Sequence, residues 1–360
     1  MKKICIVVGA RPNFVKVAPL IRAIQKSEGA AYELVYAGRD DDPTLESSLF
    51  DDLQMPRPDV FLGVVSQSLN EITAQVMGAF DRYLDEHPAD VVIVVDDLAS
   101  TMAAAITAKK RGVRLAHLVA GTRSFDISMP KEVNRLVIDA LSDYLFTAGV
   151  KSTGVATREQ SDGNNTYMVG NILMDSLRFN LPRFRRPDID IEEGRYIVLT
   201  LNRRALLSDE PNLRLMLQAM AEAAAGVPII APLRDSALDV VSRLQPVPTL
   251  SSHHPSPITH HQPLPYLEFG WLTAHALGII TDSGNVAEEA TFNGIPCITL
   301  NSYTEHQETV TVGTNVLVGG DAEKLREAVA DMVAGRWKKS ALPDRWDGRT
   351  AERIVQILLQ

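Results

Sequence analysis

Apolar runs rich in β-branched residues alternate with longer amphipathic stretches along the whole chain. This alternation is typical of a parallel sheet with helices on both faces, so we predict an α/β fold. The strands predicted in the first half are residues 4–8, 33–37, 91–95, 114–118, 144–147 and 167–169. The helices predicted between them are residues 14–26, 68–85, 100–110 and 131–141.

A polar, proline-bearing stretch after Asn180 separates a second series of the same kind. Its predicted strands are residues 196–201, 228–231, 278–281 and 296–300, and its predicted helices are 212–224, 286–293 and 322–334. Two such series in tandem predict two Rossmann-like, doubly wound domains that face a cleft and bind ligands at the carboxyl ends of their strands. We place the first domain at residues 1–172, joined by a C-terminal helix at 349–360, and the second at 173–348.

Charge and cysteine usage narrow the function classes. The net charge of -9 and the pI of about 5.4 argue against nucleic acid or an anionic membrane as a partner. Cys5 and Cys297 each lie in an apolar run, which predicts buried thiols in a reducing compartment. Arg11 interrupts the N-terminal apolar run well short of a signal peptide, and no other run approaches the length of a membrane span. We therefore expect a cytoplasmic protein.

One apolar run leads directly into a Ser-Gly turn and a helix-like stretch, TDSGNVAEEA, at residues 281–290. The first N–H groups of a helix have no partner within the helix, so this arrangement is typical of phosphate binding. Gly284 would let a ligand approach the backbone, and Ser283 would add a hydroxyl donor. An ordinary N-capped helix after a strand explains the same residues equally well.

Charged residues also follow the first and third predicted strands. Arg11 is placed to grip a phosphate with its guanidinium, and a surface ion pair is the alternative. The spaced glycines of a dinucleotide fingerprint are absent there, so no nicotinamide cofactor is expected. Asp96 and Asp97 are adjacent carboxylates, one of which would be easier to protonate and suited to acid/base work; helix capping is the alternative.

Two further clusters contain candidate chemistry. The fourth strand leads to a polar rim that begins at His117 and includes Asp126, Lys131, Glu132 and Arg135; a solvated helix start is the alternative for the last three. The stretch 251–261 contains His253, His254, His260 and His261. Paired imidazoles bind metals, but no carboxylate or cysteine accompanies these, and the neighbouring Pro and Ser are typical of a flexible surface loop. We expect no metal there.

Taken together, these motifs resemble the non-hydrolysing UDP-N-acetylglucosamine 2-epimerase family, whose fold is the two-domain arrangement of GT-B glycosyltransferases. The likeness spans nearly the whole chain. It rests on ordered matches at residues 8–12, 17–20, 120–123, 129–135, 169–171, 199–203, 265–269, 282–290 and 313–318. The resemblance implies that the second domain binds a UDP-sugar and that the chain forms a homodimer. The implied UDP-binding residues are Arg11, Ser283, Gly284 and Asn285 at the diphosphate, Glu289 at the ribose and Phe269 at the uracil.

The departures from the family concern its acid/base residues. Elimination of UDP across C1 and C2 of the sugar is thought to need one Asp, two Glu and one His in the family, and Asp97 matches the Asp. Val119, Lys131 and Asn202 stand where the other three are expected. Val moves no proton, Lys reverses the charge, and Asn forms hydrogen bonds without acid/base function. Because each such group typically contributes a factor of hundreds to ten-thousands, proton abstraction at C2 is predicted to be very slow.

We therefore predict a metal-independent glycosyltransferase that expels UDP from C1 of a UDP-2-acetamido sugar. The catalytic candidates are Asp97, Lys131, Glu132, Asn202 and His117. Lys131 would stabilise the leaving diphosphate together with Arg11 and the helix start at Ser283, while Asp97 or Glu132 would activate the acceptor.

Two alternatives stay open. The first is the family's own reaction, which interconverts UDP-N-acetylglucosamine and UDP-N-acetylmannosamine, with a rearranged acid/base set drawn from Asp97, Asp126, Glu132 or His117. The second is a non-catalytic UDP-sugar-binding partner of an active homologue. No metal and no NAD is expected in any of the three, and the acceptor sugar is not identified by the sequence.

Overall fold

The β-branched runs form strands because their side chains pack on both faces of a sheet, and the amphipathic stretches form the helices that cover these faces. The structure is a computed structural model that describes residues 1–159, 165–244 and 258–360. It divides into unit 1, Met1–Asn180 with Asp344–Gln360, and unit 2, Leu181–Pro343. Each unit has its own parallel sheet, which confirms the predicted α/β fold.

Unit 1 contains a doubly wound sheet. Its strands are β1 (Lys2–Val8), β2 (Ala30–Tyr36), β3 (Val60–Phe61), β4 (Val91–Val95), β5 (Arg114–Ala120), β6 (Tyr144–Thr147) and β7 (Thr166–Met168). Over the described residues they run parallel in the order β3-β2-β1-β4-β5-β6-β7. The strand order reverses between β1 and β4, and ligands bind such sheets at the carboxyl ends of the strands beside the reversal.

Helices cover this sheet. In unit 1 they are α1 (Arg11–Lys26), α2 (Ser47–Leu53), α3 (Leu69–Glu86), α4 (Ala99–Lys110), α5 (Pro130–Leu141), α6 (Val150–Glu159) and α7 (Ile172–Asn180). The last helix of the chain, α15 (Thr350–Leu359), returns to the same unit and packs against α1 and α7.

Unit 2 repeats the architecture on a smaller scale. Its strands are β8 (Ile197–Thr200), β9 (Ile229–Pro232), β10 (Ile258–His261), β11 (Gly278–Thr281), β12 (Cys297–Thr299) and β13 (Asn315–Leu317). In the described part of the unit they run parallel in the order β10-β9-β8-β11-β12-β13. Its helices are α8 (Arg204–Ser208), α9 (Glu210–Ala223), α10 (Asp235–Leu244), α11 (Tyr266–Ala274), α12 (Gly284–Asn293), α13 (Glu308–Thr311) and α14 (Ala322–Val333).

Every strand and helix predicted from the sequence is present, with ends that differ by at most a few residues. The prediction missed the strands β3, β10 and β13 and several helices, among them α6, α7, α10 and α11. The missed strands are two to four residues long, too short to show a period, and β10 ends in two histidines. The predicted loop at 251–261 is wrong for its last four residues, which pair with β9; residues 251–257, with His253 and His254, lie outside the described residues.

The predicted domain boundaries need correction at both ends. Unit 1 continues to Asn180 instead of ending at residue 172, because α7 packs against α1 and α15. The C-terminal segment rejoins unit 1 from Asp344, before the predicted residue 349, and places Trp346 fully inside that unit.

Cys5 and Cys297 are buried free thiols in the strands β1 and β12. Burial raises the pKa of each thiol to about 12. None of the described helices combines the length and the apolar character that a membrane crossing requires.

Candidate active site

The turn between β1 and α1 is built around Asn13. Its Oδ1 accepts the backbone N–H groups of Gly9 and Ala10 at 3.0 and 3.2 Å, and this fixes the chain where the strand ends. Arg11 is the first residue of α1, and Pro12 follows in the helical position that proline favours. The Arg11 Nε is buried and has no hydrogen-bond partner among the described residues. Arg11 therefore has a donor left over for a ligand, as its predicted phosphate contact requires.

Asp96 and Asp97 follow β4, but they have separate roles. Asp96 has a φ of 57°, and its carboxylate accepts hydrogen bonds from Lys16 at 2.6 Å and Asn13 at 2.8 Å. Asp96 thus ties the ends of β1 and β4 together. The two carboxylates do not share one site, because each is paired with its own cation, Asp96 with Lys16 and Asp97 with Arg135.

Asp97 is held by the first turns of α5. Its Oδ2 lies 2.5 Å from Arg135, its Oδ1 lies 3.6 Å from Lys131 Nζ, and its carbonyl accepts Asn134 Nδ2 at 2.8 Å. The Asp97 side chain is 11% exposed and that of Lys131 is 59% exposed. Asp97 and Lys131, two of the predicted catalytic residues, therefore lie together with an accessible edge.

Glu132 holds a loop in place. Its carboxylate accepts the N–H groups of Ser124 and Phe125, the Ser124 hydroxyl, and a guanidinium N–H of Arg135 at 3.2 Å. Burial opposes its ionisation, but these donors outweigh burial, so the pKa of Glu132 lies below its usual value. A carboxylate with this many donors is a poor proton acceptor, so the prediction that Glu132 activates an acceptor is not supported by the geometry.

His117 lies beneath the site, in the interior of unit 1. Only 1% of its side chain is exposed, its Nδ1 lies 2.5 Å from Asp139, and its Nε2 lies 2.8 Å from the carbonyl of Asp96. Both ring nitrogens of His117 are therefore committed to partners within the protein. Burial opposes ionisation of Asp139, but His117 and Arg123 outweigh it and lower the pKa of that carboxyl. Because both nitrogens are occupied, this geometry does not favour the predicted catalytic role of His117, and the ring instead supports the Asp96 backbone.

Asp126 and Val119 complete the unit 1 rim. Asp126 is exposed, and hydrogen bonds from the Ser128 hydroxyl and N–H lower the pKa of its carboxyl. Val119 occupies a bulge in β5, where the register with β6 shifts, and has a φ of 74°. A β-branched residue in this region is strained, and such strain is typical of functional sites.

In unit 2, the strand β11 is followed closely by the N-terminus of α12. Ser283 is the N-cap but makes no side-chain capping bond, and the space beside Gly284 where a Cβ would lie is open to 4 Å. Asn285 is the second helical residue, so no left-handed conformation is required of it. The arrangement fits the predicted phosphate position, since the first N–H groups of a helix have no partner within it and the space beside Gly284 is open.

Asp282 was not predicted as a site residue. It is 1% exposed, and its Oδ2 accepts the N–H groups of Asn202 and Arg203 at 2.7 Å each. This brings the loop after β8 beside the α12 turn and leaves the Asn202 side chain exposed there. A sequence signal existed, namely an Asp between a strand and a helix start, but its partners lie 80 positions away.

Glu289 lies one turn into α12, next to a second carboxylate, Glu288. Burial, and next the charge of Glu288, raise the pKa of Glu289 to about 8, so its carboxyl is mostly protonated at neutral pH. Glu288 lies 3.5 Å from His306 Nε2. A protonated Glu289 both donates and accepts hydrogen bonds, which suits the ribose hydroxyls of the predicted contact.

The remaining unit 2 candidates are Phe269, His260 and His261. Phe269 lies in α11, half-buried against the hydrophobic core of the unit, so part of its ring is committed to packing. His260 and His261 are consecutive residues of β10 and therefore point to opposite faces. No set of three or more potential ligand side chains for a metal occurs within residues 1–159, 165–244 and 258–360.

Comparison with known proteins places this geometry among sugar-nucleotide enzymes. The family model described as UDP-N-acetylglucosamine 2-epimerase matches residues 22–359. The chain is 32% identical to the UDP-N-acetylglucosamine 2-epimerase of Methanocaldococcus jannaschii over 99% of this chain and 98% of that protein. It is 31% identical to the UDP-2,3-diacetamido-2,3-dideoxy-D-glucuronate 2-epimerase of Pseudomonas aeruginosa over 91% of each.

A solved structure gives the same result. The crystal structure of the Methanocaldococcus jannaschii UDP-GlcNAc 2-epimerase in complex with UDP-GlcNAc and UDP is similar with a TM-score of 0.82 over 99% of both chains. The predicted glycosyl transfer finds no support in these similarities, which favour the alternative of an epimerase.

Proposed function

Because the chain belongs to the UDP-N-acetylglucosamine 2-epimerase family, we propose that it interconverts the two C2 epimers of a UDP-linked 2-acetamido sugar. The two curated relatives described above are named for acting on UDP-N-acetylglucosamine and on a UDP-2,3-diacetamido glucuronate, and both sugars carry an acetamido group at C2. This C2 carbon with its acetamido group, which the two sugars share, defines the proposed substrate class. The proposal supersedes the glycosyltransferase prediction.

The reaction needs no external oxidant or reductant. A base removes the C2 proton, the bond between C1 and the diphosphate oxygen breaks, and UDP leaves a 1,2-unsaturated sugar. UDP then adds back to C1 while C2 receives a proton on the opposite face. Every atom removed is returned, apart from exchange of the C2 proton with solvent.

Asp97 is the proposed base, and its geometry is the observation that carries the proposal. Its carboxylate lies at the carboxyl end of β4, and Arg135 orients one oxygen at 2.5 Å while the other lies at the accessible edge of unit 1. Asp97 also matches the one acid/base position of the family that this chain retains. With Val119 and Asn202 unable to transfer protons, we expect turnover to be slow.

UDP binding is proposed for the residues that the resemblance implies. In unit 2 these are the α12 N-terminus at Ser283, Gly284 and Asn285 for the diphosphate, Glu289 for the ribose and Phe269 for the uracil. Two features support this assignment: the open space at Gly284 and the burial of Glu289 beside Glu288, which raises the pKa of Glu289. Arg11 of unit 1, with its unpartnered buried Nε, is proposed as a further phosphate ligand. A homodimer and a cytoplasmic location stay predictions.

Exchange of solvent deuterium into C2 tests the proposed reaction. Incubation of the protein with UDP-N-acetylglucosamine in D2O should give a mass increase of one unit in the sugar, and Asp97→Asn should abolish it while UDP binding persists. Asp85→Asn, which removes an exposed carboxylate at the end of α3, is the matched control and should leave exchange unchanged. Exchange at the wild-type rate in Asp97→Asn would rule out Asp97 as the base.

One observation favours a second candidate, a UDP-sugar-binding protein without catalysis. Glu132 and His117 are both committed to hydrogen bonds within the protein, so neither of these two candidates is available as a second proton-transfer group beside Asp97. Calorimetry distinguishes the two candidates. Tight binding of UDP-sugar with no deuterium exchange after prolonged incubation would favour the binding protein.

A further inference from the structure

Lys131 is the exposed cation beside Asp97 in the unit 1 site. It is the second residue of α5, after Pro130, within the first turn of the helix. Positive charge in the first turn is unfavourable because the N-terminal end of a helix is itself positive, and acidic residues are favoured there. A residue that violates a local preference without a structural gain marks a functional position.

The contact between Lys131 and the protein is loose. Its ammonium lies 3.6 Å from Asp97 Oδ1, whereas Arg135 lies 2.5 Å from the other Asp97 oxygen. The side chain of Arg135 is 5% exposed and that of Lys131 is 59% exposed, so Arg135 is the built-in counter-ion and Lys131 extends outward. A salt bridge to so exposed a side chain contributes little stability.

Two neighbouring carboxylates in the chain, those of Asp96 and Glu132, are already compensated by other groups. Asp96 is paired with Lys16 at 2.6 Å, and Glu132 accepts N–H and O–H donors of Ser124 and Phe125 as well as Arg135. When Asp97 takes up a proton, its attraction for Lys131 falls away as well. Among the described residues Asp97 is the salt-bridge partner of Lys131, so protonation of Asp97 during turnover frees the Lys131 ammonium for an anionic group of the substrate.

We propose that Lys131 binds a carboxylate on the sugar of the substrate, so that the preferred substrate is a UDP-linked 2-acetamido hexuronate. This inference rests on the proposed function, since it concerns the sugar bound beside Asp97. An ammonium is a compact donor suited to one carboxylate oxygen, and its flexible stem lets it follow the sugar through inversion at C2. Lys131 is thus a specificity-determining residue, while Asp97 remains the base.

Two other roles for Lys131 make different predictions. If Lys131 served as a counter-ion of Asp97, its removal would affect neutral and acidic sugars alike. If it held the diphosphate, its removal would weaken UDP itself. Of the three roles, only a contact with the carboxylate of the sugar predicts a loss of affinity that is confined to the acidic sugar.

The test compares three ligands by calorimetry: UDP, UDP-N-acetylglucosamine, and its C6-oxidised analogue UDP-2-acetamido-2-deoxyglucuronate. The wild-type protein should bind the uronate about tenfold or more tighter than UDP-N-acetylglucosamine, as expected for a charge-assisted hydrogen bond. Lys131→Gln should abolish this preference and leave the Kd of UDP within about twofold. Lys110→Gln, which removes an exposed lysine at the end of α4, is the matched control and should retain the preference.

Each outcome decides a separate point. Equal wild-type affinities for the two sugars, or a Lys131→Gln loss shared by all three ligands, overturns the role of Lys131. An unchanged Kd for UDP shows that Lys131→Gln is folded. A preference for the uronate without deuterium exchange in either sugar supports the Lys131 contact but contradicts the proposed epimerase. Deuterium exchange without a preference for the uronate supports the epimerase but contradicts the Lys131 contact. Failure to bind any of the three ligands overturns both.

Discussion

Buried carboxylates in this chain differ in how their charge is compensated. Glu132 and Asp139 have pKa values below the usual range because donors and cations outweigh the effect of burial. Glu289 is equally buried but lies next to Glu288, and its pKa is raised to about 8. The first two residues keep the unit 1 site rigid. The ionised form of Glu289 is instead unfavourable in the folded state, and perturbed groups of this kind are common at functional sites.

The cost of Glu289 should appear as a dependence of stability on pH. The pKa of Glu289 is about 8 in the folded chain and 4.5 in the unfolded chain, so the folded chain holds this proton more tightly. The contribution of the proton to the stability of the folded state is complete below pH 4.5 and is lost as the pH rises through about 8. Glu289→Gln should therefore raise the free energy of unfolding relative to wild type progressively over this window, by roughly 2–5 kcal/mol in total. Urea denaturation of the ligand-free protein from pH 5 to 9 measures this.

A matched control is available in the same unit. Glu327 is an exposed residue of α14, and Glu327→Gln should give a difference from wild type that does not change with pH. A flat difference for Glu289→Gln as well would mean that its carboxyl is ionised in the folded chain at neutral pH.

At the scale of elements, α1 contains an internal proline, and α7 supplies a donor for the hydrogen bond that this proline removes. Pro19 has no N–H, so the carbonyl of Val15, four residues earlier, loses its partner within the helix. The hydroxyl of Ser176, on α7, donates to that carbonyl at 2.5 Å. Ser176 is fully buried, so no water replaces this bond. The packing of α7 on α1 is therefore specified by a hydrogen bond as well as by apolar contact.

Ser176→Ala should lower the free energy of unfolding by about 1–2 kcal/mol, because it leaves a half-buried carbonyl unsatisfied. In a Pro19→Ala background the restored N–H of residue 19 bonds Val15 again, so the same substitution should cost clearly less. Chemical denaturation of the wild type, the two single variants and the double variant gives the coupling energy. Additive effects would show that Ser176 stabilises the unit for another reason.

At the scale of the whole molecule, unit 1 is built from two separate segments of the sequence, whereas unit 2 is a single segment. Residues 344–360 return to unit 1 after unit 2 is complete. Trp346 is fully buried there and donates its Nε1–H to the carbonyl of Ala148 at 3.0 Å. Asp175 of α7 accepts the N–H groups of Thr350 and Ala351 and so caps α15. Unit 1 is therefore completed by the end of the chain.

Trp346→Ala should destabilise unit 1 by about 3–5 kcal/mol, since it deletes a large buried aromatic side chain. In native-state hydrogen exchange, the amides of β1, β4 and β5 should lose protection, while those of β8, β9 and β11 should change little. Trp337→Ala, a partly buried tryptophan of unit 2, is the control and should show the opposite distribution. Uniform loss of protection in both variants would contradict the assignment of residues 344–360 to unit 1.

The sequence by itself determined the α/β class, the long strands and helices, the family and the absence of acid/base groups at Val119, Lys131 and Asn202. These properties depend on local hydrophobic period and on residue identity at each position, so they can be read along the chain. Short strands such as β3 and β13 carry too few residues for a period and were found only in the structure.

The tertiary structure alone decided what each polar residue does. Sequence placed His117 and Glu132 among the catalytic candidates, but the fold buries His117 against Asp139 and commits Glu132 to the loop at Ser124. It also revealed Asp282, whose partner Asn202 lies 80 positions away, and the bond between residues 15 and 176. Hydrogen bonds and burial join positions that are distant in the chain, and no local pattern records which donor will meet which acceptor.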